Sequence, residues 1–148
     1  MPLVLISLIS YVLALIILLN VVYASDNTIA IQTKGTSTAI SIDQSGTSNT
    51  TTVWCGLSGG AYATHSCSNA TLTIDQHGTS NTARAYSQVT NHNDNVYTIT
   101  QNGNSNSAYL DLDNDNNIAT ITQAGNSSYG EIYMNGDNNV YTITQTGN

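Results

Sequence analysis

The sequence has very few charged residues, and almost none of them is positive. Only 7% of its 148 residues are charged, against about 25% in an average soluble protein. Nine residues are Asp or Glu and two are Lys or Arg, which gives a formal net charge of −7. Binding to nucleic acid needs clustered Lys and Arg that displace counterions from phosphate. The charge pattern therefore argues against a nucleic-acid partner.

Large apolar side chains are scarce once the first 24 residues are set aside. Phe is absent and Pro2 is the only proline, whereas Thr (21) and Asn (19) are the most frequent residues. Such a chain is too polar for an ordinary globular core. Composition alone therefore leaves a disordered tract or a polar repeat structure, and periodicity decides between them.

Residues 1–24 form an almost continuous apolar run without a charged side chain. The run ends Val22-Tyr23-Ala24, with small residues at the two positions that a signal peptidase reads. It therefore predicts a signal peptide at 1–24 and a secreted mature chain that begins at Ser25. The alternative is a retained membrane anchor, since the run could cross about 30 Å of hydrocarbon, but no basic cluster flanks it to set an orientation.

A repeat marked by Gln, with Gly two residues later, governs the rest of the chain. The glutamines are Gln44, Gln76, Gln101, Gln123 and Gln145, and the turn glycines are Gly46, Gly78, Gly103, Gly125 and Gly147. The last three glutamines are 22 residues apart, and the two wider intervals hold insertions.

Each repeat unit is predicted to be a strand, a glycine turn and a second strand. Before each Gln, as in Tyr97-Thr98-Ile99-Thr100, polar and apolar residues alternate, which is typical of a strand. Asn follows the Gln by five residues at Asn49, Asn81 and Asn106, and a second alternating segment comes after it. Glycine supplies the turn because it adopts backbone angles that other residues resist.

One such unit cannot bury its apolar face, but stacked units can. The sequence therefore predicts an all-β fold, a β-solenoid of about four coils with two stacked parallel sheets and about 4.8 Å per coil. Buried Gln and Asn would then form stacking ladders in which identical amides satisfy one another's hydrogen bonds. The predicted stacking set is Gln44, Gln76, Gln101, Gln123 and Gln145 with Asn49, Asn81 and Asn106.

The predicted organisation leaves both ends of the solenoid open. It consists of the leader 1–24, an N-terminal segment 25–37 with a half repeat at Ile29–Gln32, and the repeat solenoid 38–148, which has an insertion at 56–66. Neither end shows a proline, a charge cluster or a covering helix, the features that protect an exposed strand edge. Matching open edges favour head-to-tail addition of identical molecules, so the predicted partner is a second copy and the product a cross-β fibre.

The unit Gln-x-Gly-x-x-Asn-x-Ala resembles the curlin repeats of bacterial curli fibres. The best matches are residues 76–83 and 101–108, and the resemblance covers Thr38 to Asn148. It implies a secreted subunit of extracellular functional amyloid, a cell-surface fibre (pilus) of the biofilm matrix that acts in adhesion. The resemblance also implies export through an outer-membrane secretion pore and templating by a nucleator subunit.

This chain departs from the curlin pattern at two positions of the repeat. The family's Gln at the end of the second strand and its Ser at the start of the first strand are both replaced. The replacements are Cys55, Ser87, Leu112 and Met134 for the glutamine, and Thr38, Ala70, Asn95, Asn117 and Asn139 for the serine. They leave open whether the chain is a major subunit, a nucleator or a minor variant.

The two cysteines, Cys55 and Cys67, flank the insertion. An even number of cysteines in an exported chain favours a disulfide, which would stabilise the fold by about 3 kcal/mol if unstrained. A thiol redox site is the alternative, although the sequence has no Cys-x-x-Cys.

We expect no enzyme, no cofactor and no metal site. No Ser/His/Asp arrangement or carboxylate pair has a context that indicates catalysis. His65, His77 and His92 have no metal-ligand spacing, and residues 111–122 lack the glycine and the glutamate of an EF-hand calcium loop.

Two other functions compete with a fibre subunit. Outward Thr-x-Thr pairs in the last three repeats resemble the array of β-helical antifreeze proteins, which bind ice. They are Thr98/Thr100, Thr120/Thr122 and Thr142/Thr144. A monomeric adhesin or glycan binder is the other alternative, using Trp54, Tyr86, Tyr109 and Tyr133.

Overall fold

The computed structural model describes residues 5–11, 16–23, 26–34, 37–54, 67–86, 92–112 and 115–147. Every regular element in these ranges is a β-strand. Within this part of the chain no helix is both long and apolar enough to cross a membrane. The insertion at 56–66 and Cys55 lie outside the described residues, so the disulfide to Cys67 stays a prediction.

The described residues form eleven strands. They are β1 (Leu5–Tyr11), β2 (Ile16–Tyr23), β3 (Thr28–Lys34), β4 (Ala39–Thr47), β5 (Thr50–Thr52), β6 (Cys67–Ser68), β7 (Thr71–Thr79), β8 (His92–Asn93), β9 (Val96–Asn104), β10 (Ile118–Asn126) and β11 (Val140–Gly147).

The first strands of successive repeats form one six-stranded parallel sheet in the order β11-β10-β9-β7-β4-β2. Neighbouring strands pair in the register that the repeat predicts, so that Gln101 lies opposite Gln76 on one side and Gln123 on the other. The architecture is a β-solenoid of about 4 turns with spacing near 22 residues. This confirms the predicted fold class.

The second sheet is less regular than the sequence predicts. It holds the strands β1-β3-β5. Beyond β5 it continues only as single parallel bridges, which pair Thr50 with Thr82, Thr82 with Ser107, and Ser107 with Tyr129. Tyr86 and Leu112 have φ angles of 76° and 42°, in the left-handed region that interrupts an extended strand.

The core lies between the two sheets and consists of ladders of apolar side chains. Along β4, β7, β9 and β10 the second, fourth and sixth residues are buried, as expected for strands with one inward face. The central ladder runs through Ile42, Ile74, Ile99 and Ile121, none more than 2% exposed. Ile143 continues it in β11 but is only partly buried.

The first turn of each coil is built on glycine for two separate reasons. Gly103 has a φ of 128°, a conformation that residues with a side chain resist. A Cβ on Gly103 would also collide with the carbonyl oxygen of Gly125 in the next coil. Gly147 differs, because a Cβ there would have nothing within 4 Å.

The leader residues supply the two outermost strands at the N-terminal side of the solenoid. β1 pairs with β3 in unbroken register over seven residues. β2 pairs with β4, but its register shifts between Asn20 and Tyr23. The cleavage of residues 1–24 is not tested by this pairing and stays a prediction.

Candidate assembly interface

Five glutamines, one from each first strand between β4 and β11, form a continuous hydrogen-bonded ladder. Each Nε2 donates to the Oε1 of the next glutamine, at 2.7 Å from Gln44 to Gln76 and at 2.8 Å for the three following steps. The four from Gln44 to Gln123 are at most 1% exposed. A buried amide without partners costs about 1–3 kcal/mol, so the ladder is what makes these buried positions tolerable.

The same glutamines also tie the two sheets together. The Nε2 of Gln101 donates to the backbone carbonyl of Thr82 at 2.9 Å, and that of Gln123 donates to Ser107 at 2.9 Å. Each inner amide nitrogen thus uses one N–H along the ladder and one across the core. The sequence predicts the ladder, whereas this second contact is visible only in the structure.

The ladder has a direction, and its two ends are complementary. At the N-terminal end the Oε1 of Gln44 is buried and accepts no hydrogen bond from the described residues. At the other end, the Nε2 of Gln145 donates to the carbonyl of Tyr129, which leaves its second N–H for a further acceptor. An exposed donor at one end therefore matches an unused acceptor at the other.

Asn49, Asn81 and Asn106 form a second ladder beside the glycine turn. The backbone N–H of Asn81 donates to the Oδ1 of Asn49 at 2.9 Å, and that of Asn106 donates to Asn81 at 3.0 Å. The Nδ2 of Asn81 donates to the carbonyl of Gly103 at 2.8 Å. Since side chain and backbone of adjacent coils are joined, the ladder holds the turns in register. A role of these asparagines in assembly stays a prediction.

A third ladder lies at the opposite turn, and it was not predicted from the sequence. The backbone N–H of Asn117 donates to the Oδ1 of Asn95 at 2.7 Å, and that of Asn139 donates to Asn117 at 2.9 Å. Their 22-residue spacing in the sequence was the signal that could have revealed this ladder.

Asn27, next to Asn49 of the second ladder, was not predicted either. Its Oδ1 accepts a hydrogen bond from the backbone N–H of Asn49 at 2.8 Å, while its buried Nδ2 donates to no group among the described residues.

The outward face of β4 and β7 brings Ser45, His77 and Asp75 together, which the sequence did not indicate. The Nε2 of His77 lies 2.7 Å from the Oδ1 of Asp75, and its Nδ1 contacts the hydroxyl of Ser45. The side chains of His77 and Asp75 are 44% and 37% exposed, so water screens their attraction. The contact links two adjacent coils on the surface.

No group of three His, Cys, Asp or Glu residues that could hold a metal ion occurs in the described ranges.

The paired threonines of the last three repeats lie in register across β9, β10 and β11. They form two columns on the outer face of the first sheet.

Comparison with known protein families matches residues 93–125 to the curlin associated repeat. No curated protein and no solved structure matches the chain. The matched segment contains β9 and nearly all of β10, including Gln101, Asn106 and Gln123. The curlin family is structural and non-enzymatic. Residues 93–125 are therefore similar to the curlin associated repeat, and this match supports the resemblance to the curlin family that the spacing of the glutamines suggested.

Proposed function

We propose that the chain is a secreted structural subunit that assembles head to tail into extracellular cross-β fibres of the curli type. The observation that carries the proposal is the directional glutamine ladder, with an unused buried acceptor at Gln44 and a donor at Gln145. A second molecule placed in the same register would join these two atoms. The ladder would then run unbroken from one molecule into the next.

The exposed surface of the last described coil supports this end-to-end junction between two molecules. Tyr129, Tyr133, Val140 and Tyr141 are 55–68% exposed. Tyr141 pairs with Ala119 and through it with Tyr97, two positions that are at most 2% exposed. Its exposure therefore reflects the lack of a covering coil in the described part of the chain. Exposed apolar surface of this kind marks an interaction site, and a further coil of the same repeat would bury Tyr141.

The opposite face of the junction is β4 together with β3. In the structure β2 occupies the edge of β4, but its register shifts at the residues that face Gln44. A copy of β11 would fit there better, because β10 and β11 pair without a break through Gly125 and Gly147. Removal of the leader, as predicted from the sequence, would open this edge to a second molecule.

The finer parts of the proposed function rest on the curlin resemblance. We propose that the fibre lies on the cell surface, forms part of the biofilm matrix and acts in adhesion. An outer-membrane secretion pore would export the chain and a nucleator subunit would start assembly. These partners are proposed from the family and from no contact within the chain.

Fibre growth by the secreted protein is the direct test of the proposal. The chain is recovered after secretion by a bacterial host, unfolded in denaturant and diluted to neutral pH. We expect thioflavin-binding fibres whose X-ray diffraction shows a reflection near about 4.8 Å along the axis. A stable monomer that does not seed fresh protein would contradict the proposal, and thermal hysteresis from that monomer would favour ice binding by the threonine columns.

The Gln145→Leu variant tests the junction itself. One hydrogen bond contributes about 0.5–1.5 kcal/mol net, and about 1.4 kcal/mol corresponds to a factor of ten. We therefore expect seeded elongation to slow by up to about tenfold, measured with wild-type seeds. Thr146→Val, at an exposed position of the same strand, is the matched control and should elongate normally. Equal elongation rates for the two variants would contradict this junction.

A further inference from the structure

The strand β11 begins a coil that the described residues do not complete. In a complete coil a first strand such as β4 is followed by a second strand such as β5. After β11 no second strand occurs among the described residues. Its residues Tyr141 and Ile143 are accordingly not fully buried, although the residues that they pair with in β10 are. The coil that β11 begins is thus open on one side.

The strand β3 is the converse, a second strand whose first strand lies in the leader. β3 pairs with β5 in the second sheet, whereas β2 pairs with β4 in the first sheet. Removal of residues 1–24, as predicted from the sequence, would take β2 away and leave β3 as the other half of a coil. Ile29 and Ile31 of β3, at most 4% exposed in the structure, would then need a new cover.

A buried donor directly before β3 shows what is missing there. Asn27 is 2% exposed, but its Nδ2 donates to no group among the described residues. The corresponding donors of the next two coils are satisfied within their own coils. The Nδ2 of Asn49 donates to the carbonyl of Ser45 at 3.0 Å, and that of Asn81 donates to the carbonyl of His77 at 3.1 Å. A buried donor without an acceptor is costly, so the coil of Asn27 lacks one acceptor.

The repeat shows where this acceptor belongs. Ser45 and His77 each come directly after a ladder glutamine. Asn27 holds the ladder position one coil before Asn49, whose backbone N–H donates to its Oδ1. The missing acceptor is therefore the carbonyl of a residue that follows a glutamine, on a strand beside β4. β2 contains no glutamine and its register shifts at this point, whereas on β11 that residue is Thr146.

We propose that β11 of one molecule and β3 of the next close into a single composite coil, in which the Nδ2 of Asn27 donates to the carbonyl of Thr146. This inference rests on the proposed head-to-tail assembly and adds β3 to the junction, beyond the edge of β4. The same placement extends the row of parallel bridges that ends at Tyr129, with Thr28 of the next molecule in the following position. Each junction would then be a coil to which two molecules contribute one strand each.

The Asn27→Asp variant tests the proposed contact. A carboxylate keeps an oxygen that accepts from the N–H of Asn49, but it replaces the amide donor by a second acceptor, which would face the carbonyl of Thr146. We therefore expect sustained elongation of the variant to slow by about tenfold or more, measured from wild-type seeds. Asn102→Asp, which adds the same charge at an exposed position of β9, is the matched control and should elongate like the wild type.

Contacts between differently labelled molecules give a second measurement that needs no variant. Fibres are grown from the secreted wild-type chain, with labelled nitrogen in one half of the molecules and labelled carbon in the other half. Nitrogen–carbon contacts in solid-state NMR then arise only between molecules. We expect a contact between the Nδ2 of Asn27 and the carbonyl carbon of Thr146.

Two outcomes would overturn the composite coil. One is equal elongation by Asn27→Asp and Asn102→Asp. The other is an intermolecular contact between Gln145 and Gln44 without one between Asn27 and Thr146. In either case growth of wild-type fibres would leave the proposed assembly intact, whereas a wild-type chain that forms no fibres would reject the assembly and the composite coil together.

Discussion

Replacing Gln101 and Gln123 together by Leu should abolish fibre growth and strongly destabilise the solenoid. The exchange removes the central ladder bond and both cross-core bonds to Thr82 and Ser107. It also leaves amide groups of the flanking glutamines without their ladder partners. Each buried polar group without a partner costs about 1–3 kcal/mol, and several together approach the whole stability of a small domain, about 5–15 kcal/mol.

The measurements are denaturant unfolding for stability and thioflavin fluorescence for growth. The matched control is Thr98→Val with Thr120→Val, which changes two outward residues on the same two strands while leaving the ladder intact. We expect the control to assemble at close to the wild-type rate. If the Gln101→Leu and Gln123→Leu double variant grew fibres with unchanged kinetics, the ladder would not be what joins the coils.

Gly103→Ala should be among the most damaging single substitutions of the described turns. The new Cβ would meet the carbonyl oxygen and carbon of Gly125, and backbone atoms of a stacked coil cannot move aside without breaking the ladder. The positive φ adds a separate cost. We expect a loss of about 3 kcal/mol or more in the free energy of unfolding, since collision and backbone strain act together.

Gly147→Ala provides the control for that substitution. It occupies the equivalent place in the repeat, but a methyl group added there would have nothing within 4 Å. The expected change in the free energy of unfolding is therefore within about 0.5 kcal/mol. Thermal and denaturant unfolding of both variants measure the difference. Equal losses at Gly103 and Gly147 would show that close contact between coils is not what requires glycine.

Most of the fold could be predicted because this architecture converts sequence spacing directly into spatial contact. In a parallel in-register stack, residues one repeat apart become neighbours. The positions of Gln101, Gln123 and Asn106 in their ladders follow from that rule alone. The third ladder at Asn95, Asn117 and Asn139 obeys the same rule, but in the sequence these residues stood out only as departures from the curlin pattern.

Other features could not be predicted from spacing. Ser45 and His77 each follow a ladder glutamine, so the predicted register already places them opposite each other, but their contact and that of His77 with Asp75 depend on side-chain orientation. The backbone is left-handed at Tyr86 and Leu112, and these residue types do not signal such a conformation.

Periodicity along the chain is enough to specify the repeat, the parallel register and the glutamine and turn-asparagine ladders, because it states which residues stack. The direction of the glutamine ladder and the complementarity of its two ends emerge only when the coils are in place. That direction depends on the orientation of each side-chain amide, whose nitrogen donates to the glutamine of the next coil and to a backbone carbonyl of the facing sheet, as at Gln101. Amide orientation is set by three-dimensional hydrogen bonding, which no spacing along the chain encodes.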